Sequence, residues 1–292
     1  MNLDLTDPST IKSLLTHYNV SAQKSLGQHF LIDREVLEKI VEAADLSKHD
    51  FVVEIGPGFG TLTFPLAEAA GRILAVETDK RIINILKALG SGYYNIDLLP
   101  ANILKLSDRD LYSRYRLWSK AKSGATHYKL VSNLPYYITS PILKQFLETL
   151  FPPDLIVVMV QKEVAERITA KPGDLSVLGV SVQFFGEPEI IAIVPKTSFW
   201  PRPAVDSAII KIQPFKKSPY NVDDIRFFFR VVKAGFGERR KQLHNSLSGG
   251  LNLESRVVAN TLAGVGVDPK ARAQDLTLPQ WVKIYQQFKA LA

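Results

Sequence analysis

The patterning of this chain predicts an α/β protein: a doubly wound, mostly parallel sheet followed by a small all-helical C-terminal domain. Three observations carry that prediction. From residue 51 onward, short apolar runs alternate with turn signals and helix-like stretches, the pattern of parallel strands joined by crossover helices. The stretch Gln213-Pro-Phe-Lys-Lys-Ser-Pro219 then interrupts the alternation with two prolines, two lysines and a serine, and reads as a linker. Beyond it the strong apolar spacing is helical.

The elements follow in order. Residues 51–55 read as a buried strand, followed by a glycine-rich turn and a helix through Ala70. A second strand covers 73–77, and 80–89 has helical spacing. The polar, basic stretch 107–126 reads as a surface insertion. Strands at 129–132 and 155–160 flank a helix at 141–150. The stretches 177–185, 190–194 and 207–212 are strand-like without long helices between them, and read as an antiparallel edge. Past the linker, helices are expected at 225–233, 238–247 and 278–290. The expected division is a domain over 1–215, with 1–20 as an N-terminal extension, and a second over 216–292.

Composition narrows the function classes. With 292 residues, 46% hydrophobic and 22% charged, the chain is ordinary for a folded protein and long enough for one large core and a smaller one. There is no cysteine, which excludes disulfides, thiolate metal sites and a cysteine nucleophile. Asp4 and Asp7 stand where a signal peptide would carry basic residues, and no apolar run is long enough to span a bilayer. A cytoplasmic protein is expected. The net charge of +7 is confined to one end: residues 216–292 hold 13 Lys/Arg and 6 Asp/Glu, whereas 1–215 hold 23 of each. That asymmetry suits a polyanion-binding module beside a neutral one, although a solvated basic surface would look the same.

Val53-Glu-Ile-Gly-Pro-Gly-Phe-Gly-Thr-Leu-Thr63 takes a strand ending in an acidic residue into a glycine turn. Glycines there let the backbone pass close to a ligand. A tight turn without a ligand, or a nicotinamide site, would read alike. Glu77 closes the second strand, where a carboxylate can accept hydrogen bonds from ribose hydroxyls. Asn133-Leu134-Pro135-Tyr136 discriminates further. The exocyclic amine of adenine is a poor nucleophile because its lone pair is delocalised into the ring. Acceptors on both N–H groups, the Asn133 side-chain oxygen and the Pro135 carbonyl, favour a tetrahedral nitrogen with an outward lone pair. Tyr136 would stack on the base and offer its π-face to developing positive charge. An activated sulfonium methyl donor then needs mainly in-line placement, with no metal.

These segments, in this order, resemble the ribosomal RNA adenine-N6,N6-dimethyltransferases, and in particular their bacterial small-subunit (16S) branch. Ser25-Leu-Gly-Gln-His-Phe-Leu-Ile-Asp33, residues 54–63 and 133–141, Phe199-Trp-Pro-Arg-Pro-Ala-Val-Asp-Ser-Ala208 and residues 236–247 carry the resemblance, which covers roughly residues 20 to 290. It implies a Rossmann-like class I methyltransferase fold and S-adenosyl-L-methionine as cofactor, released as S-adenosyl-L-homocysteine. It also implies two methyl groups on each of two adjacent adenosines near the 3′ end of 16S ribosomal RNA, within an immature small subunit. A monomer without membrane association is expected. By this resemblance His29 and Leu31 touch or cover the methionine end of the cofactor, Gly56 lines it, Glu77 holds the ribose, and Asn133 sits between cofactor and base. Phe199 matches an aromatic facing the adenine opposite Tyr136; a helix-capping His29 and a core Phe199 are the alternatives. Arg239, Arg240 and Lys241 suit phosphate contacts to RNA or, alternatively, a solvated helix face. One position departs from the family pattern: Asn102 stands where an aspartate is usual, and a neutral acceptor there implies weaker cofactor binding. Competing readings are a large-subunit adenine methyltransferase, a non-catalytic assembly or transcription factor, and a nicotinamide oxidoreductase.

Overall fold

The computed structural model describes residues 3–20, 29–121, 128–238 and 241–291, without the side chains of 119–121. In chain order it runs α1 (Pro8–His17), β1 (Phe30–Leu31), α2 (Arg34–Ala43), β2 (Phe51–Ile55), α3 (Thr63–Ala69), β3 (Arg72–Glu77), α4 (Lys80–Leu89), β4 (Ile96–Pro100), α5 (Asp108–Ala121), β5 (Tyr128–Asn133) and α6 (Thr139–Leu147). It continues with β6 (Leu155–Gln161), α7 (Lys162–Thr169), α8 (Val177–Phe185), β7 (Gly186–Val194), β8 (Phe199–Trp200), β9 (Ser207–Pro214), α9 (Ile225–Gly235), α10 (Leu243–Leu251), α11 (Ser255–Gly264) and α12 (Leu278–Leu291).

Seven strands form one sheet in the order β4-β3-β2-β5-β6-β9-β7. The first five of that order run parallel, and β9 pairs antiparallel with β6. Every residue of β2, and all of β6 except Gln161, is buried, which explains why these strands read as unbroken apolar runs. From β2 the chain steps outward through β3 to β4, then returns to lay β5 on the other side of β2. That reversal opens a crevice between the carboxyl ends of β2 and β5, the usual ligand position in an open α/β sheet.

Helix starts are marked by short polar side chains. Asp33 accepts from the Val36 amide at 3.3 Å and Asp79 from Arg81 at 2.9 Å, satisfying donors that a first turn leaves open. The N-terminal extension is structured: α1 buries Ile11, Leu14 and Leu15 in a cluster with Phe30, Phe59, Ile82 and Ile85.

Packing divides the chain into two compact units. One runs to Ala165 and resumes over Pro188–Pro214; the other takes Glu166–Glu187 together with the chain from Phe215. A single boundary near 215 therefore misassigns Glu166–Glu187, whose Leu175, Val180 and Phe184 join the core of the second unit. Stretch 177–185 is correspondingly not a strand but helix α8. Its β-branched, apolar sequence mimics a strand, yet Ser176 caps the Gly179 amide at 3.1 Å and the apolar face packs on Phe228 and Phe229. The expected insertion at 107–126 is also helical over most of its length, as α5, which buries Leu111 and Tyr115. No helix among the described residues is long and apolar enough to cross a membrane.

Candidate active site

The site grows from the β2–β5 crevice. Past β2 the backbone turns sharply, with φ of +68° at Gly56, +56° at Gly58 and +95° at Gly60. At Gly60 a Cβ would lie 2.7 Å from the Leu86 and Phe64 side chains, so glycine is required by both space and conformation. At Gly56 a Cβ would lie 3.5 Å from Pro135 Cγ, so the glycine turn and the Asn-Leu-Pro-Tyr turn meet there. Together with the arm at 29–31, the end of β3 and residues 101–104, they enclose a cavity of about 290 Å³.

Six of the expected cofactor and base residues, His29, Leu31, Gly56, Glu77, Asn102 and Asn133, line this one cavity, as do Pro135 and Tyr136. Glu77 Oε1 accepts from the amides of Thr78 at 2.6 Å and Asp79 at 2.9 Å, which fixes the carboxylate at the strand end. Asn133 ends β5, and its Nδ2 donates to the His29 carbonyl at 3.5 Å, leaving Oδ1 as the acceptor. The Pro135 carbonyl accepts from the Ile138 amide at 3.2 Å, using one of its two lone pairs. The Tyr136 ring stands 5.9 Å from the His29 imidazole, nearly parallel, and its hydroxyl shares a 2.7 Å hydrogen bond with Ser207 Oγ. Burial pushes the Tyr136 phenol up, the Ser207 contact opposing it. His29 Nδ1 sits 2.7 Å from the Pro201 carbonyl and must donate to it, since a carbonyl only accepts.

Asn102 does more than was anticipated from its type. Its Oδ1 accepts from the Leu104 amide at 3.0 Å and so caps the short turn at Ile103–Lys105.

Phe199 stands apart. It is 3% exposed, pairs with Leu31 across β1 and β8, sits in the core cluster and is not part of the cavity wall. Arg239 and Arg240 lie outside the described residues. Lys241 is described, and its ammonium pairs with Glu238 at 2.7 Å.

Glu54, the acidic residue near the end of β2, has no role legible in the sequence pattern. Glu54 lines the cavity at 2% exposure, and burial raises its carboxyl to about 8. The nearby Thr63 hydroxyl opposes that rise, but its geometry falls short of a hydrogen bond, and among the described residues Glu54 Oε2 has no partner. A buried carboxyl oxygen without a partner beside a cavity is costly unless something else satisfies it. Ser207 and the Pro201 carbonyl were also missed as supports for Tyr136 and His29; both fall inside the 199–208 segment already singled out.

A seven-stranded, mostly parallel sheet with a glycine turn, an acidic second-strand end and an Asn-Leu-Pro-Tyr wall around one cavity has the architecture of a Rossmann-like methyltransferase. The family model for ribosomal RNA adenine dimethylase matches residues 19–290, and the chain belongs to that family. It is 44% identical to the ribosomal RNA small subunit methyltransferase A of Dehalococcoides mccartyi, over 95% of this chain and 92% of that one. It is 38% identical to the protein of the same name from Halothermothrix orenii, over 98% and 97%. Among solved structures, the 23S rRNA methyltransferase ErmE superposes with a TM-score of 0.68 at 26% identity, over 89% of this chain and 99% of that one. A dimethyladenosine transferase from Plasmodium falciparum superposes at 0.72 with 24% identity, over 88% and 96%, a likeness of fold.

Proposed function

We propose that the protein binds S-adenosyl-L-methionine in this cavity and methylates N6 of two adjacent adenosines near the 3′ end of 16S ribosomal RNA, twice each. In this reading it acts as a cytoplasmic monomer on an immature small subunit and releases S-adenosyl-L-homocysteine. The observation that carries the reading is that the glycine turn and the Asn133–Tyr136 turn line one cavity, with Gly56 against Pro135.

The residues present fit the cofactor. Among the described residues Glu54 Oε2 lacks a partner, one that a cationic amino group would supply, and deprotonation of the carboxyl would accompany such pairing. Glu77 keeps one carboxylate oxygen outside its backbone contacts, suited to ribose hydroxyls. The positive φ at Gly56 brings bare backbone to the cavity wall. When bound, the cofactor supplies a methyl group on a sulfonium.

The chain's own part is to prepare the amine. Asn133 Oδ1 and the second lone pair of the Pro135 carbonyl accept the two N6 hydrogens and turn the nitrogen lone pair out of conjugation. Both acceptors are neutral, so neither traps the proton that the methylated nitrogen must shed to water. Tyr136, half-buried and held by Ser207, stacks on the base. Phe199, behind Leu31, would need to emerge from the core to meet the opposite face.

Transfer of a tritium-labelled methyl group to immature small subunits tests the reading. Incorporation there, and none into naked large-subunit RNA, is expected. Incorporation into large-subunit RNA alone would favour the activity in ErmE's name; none with either substrate would exclude the enzyme reading.

A further inference from the structure

Helix α9 carries a row of three exposed cations, of which only Lys233, in the last turn, is favoured by the helix macrodipole. Arg226, Arg230 and Lys233 are exposed, at spacings of four and three, so they share a sector about 60° wide at about 100° per residue. The opposite face is consumed by the core of the second unit, with Phe228, Val231 and Val232 fully buried. Among the described residues, none of the three cations makes an ion pair, whereas Lys241 pairs with Glu238 and Lys289 with Asp223.

Like charges at these spacings repel along a helix. Arg226 adds a second penalty by standing in the first turn, where the helix macrodipole is positive. The Asp224 cap complements the positive helix end, but no Asp or Glu follows it within α9 to pair with the row. A like-charge row left without an ion pair among the described residues points to a role outside stability. Two of the three are arginines, whose planar forks match phosphate oxygens. The axial rise from Arg226 to Arg230, about 6 Å at 1.5 Å per residue, is comparable with the step between phosphates along a strand.

We infer that this face of α9 is a phosphate-tracking surface for RNA, contributing three backbone contacts separate from the 239–241 triplet. The inference rests on the RNA-directed reading above and names where, in the second unit, the backbone is held. Such contacts set position and affinity but not base identity.

The test uses full-length protein and a small-subunit RNA fragment carrying the 3′ end, with affinity measured across a salt series. Each lost phosphate contact flattens the slope of log K against log salt by about 0.7 to 0.9. The triple variant Arg226→Ala, Arg230→Ala, Lys233→Ala should therefore lose about 2 units of slope and bind at least tenfold more weakly at low salt. Its melting temperature should stay close to that of wild type, because the relieved repulsion offsets the loss of Lys233 from the last turn, and its cofactor affinity should be unchanged. Arg226→Lys with Arg230→Lys should keep most of the slope. Wild-type RNA binding with an unchanged slope in the triple variant would overturn the assignment alone. A failure of the wild-type protein to bind RNA would overturn both it and the reading on which it rests. A triple variant that melts lower with an unaltered slope would make the row a structural feature, and the assignment wrong.

Discussion

Tyr136, Asn102 and Glu54 each carry one separable contribution. Tyr136→Ala should remove base stacking, worth about 1–3 kcal/mol, and lower kcat/KM by about fivefold to 150-fold with cofactor affinity nearly intact. Calorimetry on the variant provides the check: a matching loss of cofactor affinity would move Tyr136 from the base to the cofactor. Asn102 spends an oxygen lone pair on the Leu104 amide, whereas an aspartate would cap the same turn and still present a charged oxygen. Asn102→Asp should tighten S-adenosyl-L-homocysteine binding several-fold, and a weakened or equal affinity would show that the cavity does not use this position for an amine. Glu54 is set by burial, from an ordinary 4.5 to about 8. Between those values the native state keeps a proton that the unfolded chain has released. Its stabilising contribution is therefore complete below about 4.5 and is lost as pH rises towards about 8. Cofactor-free wild type should lose more stability than Glu54→Gln between pH 5 and pH 8; parallel losses would contradict the buried-carboxyl account.

At the scale of elements, the support for the site comes from pieces with weak local signals. Helix α1 lies wholly before residue 19, where the family match begins, yet Ile11 is fully buried against the cluster holding Phe59 of the glycine turn and Phe30 of the arm. Ile11→Ala should cost about 2–5 kcal/mol in chemical denaturation, with a cost below 1 kcal/mol meaning that α1 is only draped on the surface. Where apolar runs had length and a turn on either side, as in β2, β3 and β6, the strands were legible from residues alone. Val177–Phe185 was not, because β-branched residues in a short apolar stretch fit a strand or a buried helix equally, and packing on Phe228 and Phe229 decides it. β1 and β8, two residues each, exist through pairing with one another and have no periodicity to read. For the candidate site, Gly56 was readable because its turn needs a positive φ, Glu77 and Asn133 from their places at strand ends, and Tyr136 from its motif, and all four line the cavity. The His29–Pro201 and Tyr136–Ser207 bonds span 172 and 71 residues, distances over which one sequence carries no pairing signal.

For the whole molecule, chemistry and charge are divided along the chain. The cavity is lined entirely by residues of the first unit, while the basic excess belongs to residues 216–292, all within the second. The single boundary expected near 215 located the charge correctly but missed that Glu166–Glu187 belongs with the helices, since a discontinuous unit leaves no composition break at its insertion. A protein so divided should bind RNA with a steep salt dependence while its cofactor affinity stays nearly flat across the same range. Equal salt sensitivity of both would mean that the basic region also shapes the cofactor site.

The most direct measurement of the central claim is mass spectrometry of small-subunit RNA from cells with and without this gene, reading N6-methylation near the 3′ end. The account predicts two adjacent dimethyladenosines when the gene is present, unmodified adenosines when it is deleted, and full restoration by the wild-type gene but lower occupancy with Tyr136→Ala. Dimethyladenosines that persist at full occupancy in the deletion strain would contradict it.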